Sequence, residues 1–152
     1  MNGDYFRWQA PAFDVILAES VLHLLADDTT QLVSKLTTDL VPGGLLIATM
    51  PHRCLTNTVL IFQRRLWKAM PPALDILAAA TGKRIYPGEP SHIIEERVRY
   101  LRIVPARLFD KEFAAQLKCA GLDLVENQPW PRSSILKPKH RFLVFRRKGS
   151  PN

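Results

Sequence analysis

Two short runs of apolar residues interrupt the first third of the chain, at 13–18 (FDVILA) and 45–50 (LLIATM). Both runs are nearly continuous rather than alternating, and aliphatic residues, several of them β-branched, dominate them. This pattern is typical of parallel strands that are buried on both faces. We therefore predict a central strand at 13–18 and a second buried strand at 45–50.

The segment between these strands has the spacing of an amphipathic helix. Apolar residues recur there three or four positions apart, at Leu32, Val33, Leu36 and Leu40. Asp27 and Asp28 precede them, in the first turn where the helix dipole favours negative charge. The run Pro42-Gly43-Gly44 is expected to end the helix. A strand–helix–strand order with a crossover of this length predicts parallel strands joined by a right-handed connection.

Residues 52–108 are less regular. The pattern predicts three helices and then one loop or lid rich in glycine and proline, at 55–70, 74–80, 92–101 and 82–90 respectively. The sequence shows no internal repeat or low-complexity segment. We expect residues 1–152 to form a single domain that carries a helical insertion or lid at about 52–108.

The pattern becomes regular again near the carboxyl terminus. Residues 110–120 have helical spacing, and Gly121 follows them where a helix end favours glycine. Residues 122–128 alternate as a half-buried strand does, and 141–146 (RFLVFR) predict a final strand. The chain is therefore expected to end in the order helix, strand, turn, strand.

Composition and charge narrow the class of protein. The chain has 152 residues, of which 47% are hydrophobic and 23% charged, as in a soluble globular domain. The formal net charge is +7, but residues 1–51 carry −4 and the remainder +11. A basic surface attracts anionic partners. No RNP, zinc-finger or helix-turn-helix signature accompanies the charge, so we do not predict a nucleic-acid partner.

Several other classes of protein are excluded by the same sequence. No apolar run reaches the roughly 18 residues of a membrane span. The charges of Asp4 and Arg7 fall where a signal peptide needs its apolar stretch, so a cytoplasmic location is expected. Cys54 and Cys119 lack CxxC or Cys/His ligand spacing, and they predict neither a disulfide framework nor a metal site.

Four parts of the sequence, taken in order, resemble the carboxyl-terminal half of class I S-adenosylmethionine-dependent methyltransferases. They are GDY at 3–5, FDVILAESVLHLL at 13–25, LVPGGLLIATMP at 40–51, and the ending FDKEFAAQLKCAGLDLVE plus HRFLVFRRK. The resemblance implies an incomplete Rossmann-like α/β fold, with a mostly parallel sheet and helices on both faces. The last strand of that fold is antiparallel and lies between the fifth and sixth. The four strands predicted here would be the fourth to the seventh.

Two parts of that family's cofactor site have no counterpart in this sequence. They are a glycine-rich turn after the first strand and an acidic residue that ends the second strand and holds the ribose. No glycine-rich loop precedes Gly43, and the chain begins where the third strand should be ending. We expect a truncated or shortened polypeptide, or one completed by a partner chain, that binds S-adenosylmethionine weakly or not at all by itself.

The resemblance assigns cofactor-binding roles to a few residues. Asp4 matches the position whose carboxylate accepts a hydrogen bond from the adenine amino group, and Tyr5 is placed to pack against the adenine ring. Ala18, Glu19 and Ser20 fall at the carboxyl end of a strand, where open α/β sheets bind ligands. Two alternatives stay open, in which Asp4 only forms a turn and Glu19 only caps the segment that follows.

The candidate catalytic residues are His23 and Glu19. His23 lies one helical turn past Ser20 if that segment is helical, and histidine titrates near neutrality, as a general base for a substrate oxygen requires. Simple packing of His23 beside leucines is the alternative. His52 and Trp67 are candidate contacts of the substrate. Methyl transfer needs little beyond alignment, because the sulfonium is already activated, so a base is not obligatory.

The predicted helix at 55–70 has three interpretations. Its apolar side covers the substrate, as this segment does in relatives that methylate small molecules. Alternatively, Arg64, Arg65 and Lys68 beside an apolar face describe a helix that rests on anionic lipid, a peripheral membrane contact. The third interpretation is ordinary core packing with a solvated basic rim.

The sequence thus supports two functions of different classes. The first is methyl transfer from S-adenosylmethionine to a small-molecule acceptor, with oxygen the first choice of acceptor atom and carbon or nitrogen the alternatives. The second is a noncatalytic interaction module. In the full fold another strand flanks 13–18, and without it the unpaired edge is expected to recruit a second copy or a partner chain.

Overall fold

The computed structural model describes residues 5–25, 28–130 and 138–149 of the chain. The chain divides into two compact units, one formed by Met1–Asn57 with Ala106–Asn152 and the other by Thr58–Pro105. Among the described residues the elements in chain order are β1 (Phe13–Glu19), α1 (Thr29–Asp39), β2 (Leu40–Pro51), α2 (Leu55–Ala69), α3 (Ala73–Ile85), α4 (Ser91–Leu101), α5 (Lys111–Cys119), β3 (Leu122–Pro129) and β4 (His140–Arg147).

The four strands form one sheet in the order β1-β2-β4-β3. β1 is parallel to β2, with Ala18 opposite Ala48, as the strand–helix–strand pattern predicted. β4 runs antiparallel between β2 and β3, so that Leu143 lies opposite Ala48 on one side and Asn127 on the other. The predicted insertion of the antiparallel last strand between its two predecessors is confirmed.

The hydrophobic core of the first unit lies between this sheet and helices α1 and α5. Alternate residues of the central strands point into it, because successive side chains of a strand face opposite sides. The largest side chains that are almost completely buried there are Leu32, Leu36, Leu40, Leu46, Met50, Leu117, Leu122, Leu143 and Phe145. The rings of Phe109 and Phe145 meet edge to face, with centroids 6.4 Å apart.

Side-chain caps fix the starts of the two helices that cover the core. Asp28 accepts a hydrogen bond from the backbone N–H of Thr30 at 3.1 Å. It therefore caps α1 rather than lying in its first turn; Asp27 lies outside the described residues. Asp110 accepts from the N–H of Phe113 at 3.0 Å, which starts α5. Gly121 follows α5 with φ of 87°, which confirms the predicted glycine at that helix end.

The prediction that residues 42–44 end α1 is wrong. The helix ends at Asp39, because Leu40 already has an extended backbone and pairs with Phe13. The proline and the two glycines lie inside β2, where the register with β1 shifts. Gly43 has φ of 84°, a conformation that glycine adopts without the strain a side chain would add.

β1 was expected to be a central strand buried on both faces, and the structure contradicts this. It is the edge strand of the described sheet, with β2 as its only neighbour there. Ala18 points into the core, but Leu17 is 72% exposed and Val15 is half-exposed. The apolar character of this strand therefore exceeds what its burial in the described chain requires.

The second unit is helical. α4 was predicted within one residue of its observed start, and its Ile94 and Val98 are buried. α3 is longer than predicted, so Gly82 lies in the helix and the loop shrinks to 86–90. Among the described residues, no helix is both long and apolar enough to cross a bilayer. The lid role and the cytoplasmic location stay predictions.

A polar network around Arg102 joins the helices of the second unit. Its Nε donates to Asp75 at 2.6 Å, and the indole N–H of Trp67 donates to the other carboxylate oxygen at 3.0 Å. The guanidinium also donates to backbone carbonyls at the end of α2, at Trp67, Lys68, Met70 and Pro71. Arg102 thus satisfies carbonyls that a helix end leaves without partners.

This network predicts a specific loss of stability in acid. The hydrogen bond from Arg102, and then that from Trp67, lowers the pKa of Asp75 from its usual 3.8. A carboxyl whose pKa is lower in the folded chain stabilises the fold above its unfolded pKa and loses this effect as pH falls through the folded value. Stability should therefore drop more steeply in the native chain than in Asp75→Asn between about pH 5 and about pH 2.

Urea unfolding followed by circular dichroism at several pH values measures this difference. Asp14→Asn, which removes an exposed carboxylate of β1, is the control and should keep the native slope. The same acid dependence in the native chain and in Asp75→Asn would contradict the role given to Arg102.

Candidate functional site

The carboxyl ends of β1 and β2 and the beginning of β4 lie at one edge of the sheet. Glu19 is opposite Thr49 at the end of β1, and Pro51 is opposite His140, the first residue of β4. Open α/β sheets bind ligands outside the carboxyl ends of their parallel strands. We call this region the carboxyl edge; it comprises Glu19, Ser20, His23, Thr49, His52 and His140.

The chain leaves β1 through a strained residue. Ser20 has φ of 54°, a left-handed conformation that is uncommon for residues with a side chain. Its N–H lies 3.0 Å from both the carbonyl and the hydroxyl oxygen of Thr49, and the two hydroxyls are 3.2 Å apart. These contacts hold the strained backbone in place, which is a common feature of functional sites. Ala18 before the bend is buried, whereas the carboxylate of Glu19 is exposed.

His23 lies in a tight turn rather than in a helix, since the N–H of Leu24 donates to the carbonyl of Val21 at 2.8 Å. Its side chain is only 1% exposed. The imidazole meets that of His140 edge to face, with centroids 5.8 Å apart. The structure thus brings His23 to the carboxyl edge, as predicted, but behind its surface and beside a second histidine.

A buried asparagine holds His52 at the same edge. The Asn57 amide donates to the carbonyls of His52 and Lys139 at 2.7 and 2.8 Å, and its oxygen accepts the N–H of Lys139 at 2.8 Å. The imidazole Nδ1 of His52 is 3.0 Å from that Lys139 carbonyl. His52 is half-buried, so its ring keeps one side open to solvent.

Tyr5 is at the opposite edge of the sheet. Its hydroxyl donates to Asp39, the last residue of α1, at 3.0 Å, and Lys35 binds the same carboxylate at 2.6 Å. Burial, and then the charge of Asp39, raises the pKa of Tyr5, so the phenol stays protonated at neutral pH. The structure does not bring Tyr5 together with Glu19 and Ser20. Asp4 lies outside the described residues, and Trp67 belongs to the second unit.

Three polar residues at or beside the carboxyl edge were not predicted: Thr49, Asn57 and His140. Thr49 and Asn57 are buried, and both fix the path of the backbone through hydrogen bonds. Their signals were a lone hydroxyl in an apolar run and a lone amide in a helix. His140 directly precedes a predicted strand, and nothing local distinguishes it from a surface histidine.

The described residues contain no group of three or more His, Cys, Asp or Glu side chains that could hold a metal ion. A groove of about 430 Å³ lies between α1 and α5, lined in part by Thr30, Ser34 and Gln116. It lies on the helical side of the first unit, and none of the predicted site residues lines it.

Known proteins were compared with this sequence and structure. No protein-family model and no curated protein sequence matches the chain. Three solved structures that match are described next, each with fold similarity at low sequence identity.

N-methyltransferase NodS from Bradyrhizobium japonicum WM9, in complex with S-adenosylhomocysteine, has a TM-score of 0.52 at 18% identity over 95% of this chain and 52% of its own. Magnesium protoporphyrin IX methyltransferase from Synechocystis PCC 6803, with the same ligand, has a TM-score of 0.54 at 16% identity over 97% and 50%. For 1,6-didemethyltoxoflavin-N1-methyltransferase from Burkholderia thailandensis these values are 0.55, 14%, 95% and 48%.

The chain thus spans about half the length of these three structures. Their likeness covers nearly all of this chain, including the sheet in which β4 lies between β2 and β3. The chain therefore has part of the class I S-adenosylmethionine-dependent methyltransferase fold.

Proposed function

We propose that this chain is half of a methyltransferase domain that transfers a methyl group from S-adenosylmethionine to a small-molecule acceptor. The observation that carries the proposal is the antiparallel β4 between β2 and β3, in a sheet whose carboxyl edge presents the strained Ser20 beside the exposed Glu19. The matched structures named above are methyltransferases of small molecules, and three of their crystals hold S-adenosylhomocysteine. Oxygen is the first choice of acceptor atom, with nitrogen or carbon as alternatives.

The residues at the carboxyl edge fit one flank of this cofactor. Ala18 has a small side chain beside the bend, and the exposed Glu19 carboxylate attracts the positive charges of the cofactor's sulfonium and ammonium groups. Ser20 and Glu19 would hold the amino-acid part of the cofactor. When bound, S-adenosylmethionine supplies an activated methyl group. The sequence has no glycine-rich turn before Gly43, so the remaining flank requires a second polypeptide segment.

Proton removal from the acceptor is assigned to Glu19, with His23 behind it. Glu19 is exposed, whereas His23 is buried against His140 and is not on the surface that an acceptor would touch. The half-buried ring of His52 is the proposed contact of the acceptor at the same edge. Trp67 is kept as a proposed substrate contact from the second unit.

A titration of the ¹⁵N-labelled chain with S-adenosylhomocysteine tests this assignment. We expect the amide signals of residues 18–20 to shift, with a dissociation constant weaker than about 100 μM because half of the site is missing. Glu19→Gln should reduce the shifts at saturating ligand and weaken binding about threefold to tenfold. Glu126→Gln, on β3 away from this edge, is the control.

Three outcomes would contradict the proposal. Shifts confined to the groove between α1 and α5 would place the nucleoside elsewhere. No shift at about 5 mM ligand would remove the cofactor, since binding that weak is below about 3 kcal/mol. A low-micromolar affinity would show that the described residues form a complete site, and would overturn the assignment as half of a domain.

A noncatalytic interaction module is the second candidate, favoured by the edge position of β1. Val15 and Leu17 are exposed, and an edge strand presents backbone groups that can pair with another chain. Light scattering at increasing concentration should show association that Leu17→Lys suppresses. A monomer at every concentration would remove the version in which two copies pair.

A further inference from the structure

Helix α2 presents its apolar side to solvent. Val59, Phe62 and Leu66 follow one another at helical spacing, and we call them the apolar stripe. Phe62 is 67% exposed and the other two are about half-exposed, whereas Arg64, on the far side of the helix, is 8% exposed. In most surface helices the apolar side faces the core and the charged side faces water. α2 has the reverse arrangement.

Contacts within the second unit fix this orientation. The Arg64 guanidinium donates to the carbonyl of Ile103 at 3.1 Å and lies over the ring of Tyr100, 4.5 Å from its centroid. Trp67 donates to Asp75 at 3.0 Å from the same helix. Turning the helix to bury the apolar stripe would break all three contacts and leave the Arg64 charge without its buried partners. The stripe is therefore an outward-facing surface of the folded unit.

The charges beside the stripe are positive. α2 contains no acidic residue from Leu55 to Ala69, and its exposed Arg65 and Lys68 lie near the stripe. Long basic side chains can lay their apolar stems along such a surface while their charged ends reach outward. An apolar stripe with flanking cations is complementary to a membrane that carries anionic headgroups, where it gains both apolar burial and electrostatic attraction.

We propose that α2 docks on an anionic lipid surface, with Phe62 and Leu66 entering the boundary between headgroups and acyl chains. Arg65 and Lys68 contact the anionic headgroups. The helix lies along the membrane surface and does not span it, in agreement with its length and its charges. This docking is independent of the proposed methyl transfer, since it uses only residues of the second unit.

Sedimentation with lipid vesicles tests the proposal. The chain is mixed with vesicles of phosphatidylcholine alone, or of phosphatidylcholine with about one-third phosphatidylserine. We expect at least about tenfold stronger binding to the anionic vesicles. Phe62→Ser with Leu66→Ser should weaken that binding by about tenfold or more, because apolar burial is lost. Arg65→Gln with Lys68→Gln should remove most of the preference for phosphatidylserine and reduce its salt dependence.

A matched control is available on α3. Ile76 and Leu77 are also exposed apolar residues, so Ile76→Ser with Leu77→Ser removes similar surface outside the stripe and should keep the native binding. Circular dichroism and melting temperatures confirm that each variant folds. The Trp67 fluorescence maximum gives a second readout of contact with lipid.

Other results would overturn the proposal. Equal binding to both kinds of vesicle, or equal binding of native chain and stripe variant, excludes this docking. A dimer that the stripe variant converts to a monomer, without vesicle binding, would assign the stripe to a second copy of the chain. The titration with S-adenosylhomocysteine contains no lipid, so either proposal can fail while the other holds.

Discussion

Replacing Phe145 with alanine should lower the free energy of unfolding by about 3–5 kcal/mol. Its side chain is 1% exposed on β4, between the sheet and helices α1 and α5, and its ring meets Phe109. Truncation removes most of a large ring from water-free surroundings and leaves a cavity that rigid neighbours on two sides cannot fill. The loss should appear as a lower urea midpoint in circular dichroism, with little change in the slope of the transition.

The matched control is the same substitution at an exposed position. Phe62→Ala removes a ring that is 67% exposed, and it should change the free energy of unfolding by less than about 1 kcal/mol. Equal losses in the two variants would show that the core of the first unit is not where the structure places it.

Gly44→Ala should destabilise the chain by about 1–3 kcal/mol, a large effect for one added methyl group. A Cβ atom at this position would lie 2.9 Å from the carbonyl oxygen of Val41 and 3.1 Å from those of Phe13 and Asp14. All three are backbone atoms of β1 or β2, so a side chain cannot rotate away to make room. The strands must separate where their register shifts.

Gly88→Ala is the control for this prediction, because nothing lies within 4 Å of a Cβ atom there. Its effect should stay within about 0.5 kcal/mol. Thermal and urea unfolding of both variants measure the difference. If Gly44→Ala is as stable as Gly88→Ala, the close approach of β1 and β2 at residues 13–14 is wrong.

The sequence predicted the elements whose pattern depends on local spacing. The parallel strands around α1, the helix that Asp110 starts, and the two final strands all follow from period and capping. Residues 42–44 were misassigned because proline and glycine end helices and also occur at irregular strand positions. Only the pairing of Leu40 with Phe13, which is not a local property, decides between the two.

The direction that an apolar face points could not be predicted from spacing alone. Val59, Phe62 and Leu66 have the period of a core-facing stripe, yet Arg64 takes the interior position because Ile103 and Tyr100 provide its partners. Those partners are more than 30 positions away in the sequence. β1 has a similar explanation: its apolar residues predict two strand neighbours, and the described sheet provides one.

At the candidate site, the sequence located the end of β1 but not the residues that shape it. Ser20 could be placed there because a strand was predicted to end at that point. Its strained backbone depends on Thr49, which lies across the sheet, and the burial of His23 involves His140 at the other end of the chain. Contacts of this kind become visible only when the strands are paired.

The strand order is the central claim, and nuclear Overhauser effects between backbone protons test it most directly. We predict contacts across both antiparallel pairs of β4, from Leu143 to Ala48 and from Leu143 to Asn127. Parallel contacts should join residues 15–19 to residues 45–49, and none should join β2 to β3. Direct contacts between β2 and β3, with β4 at the edge of the sheet, would contradict the methyltransferase-like fold and the function proposed from it.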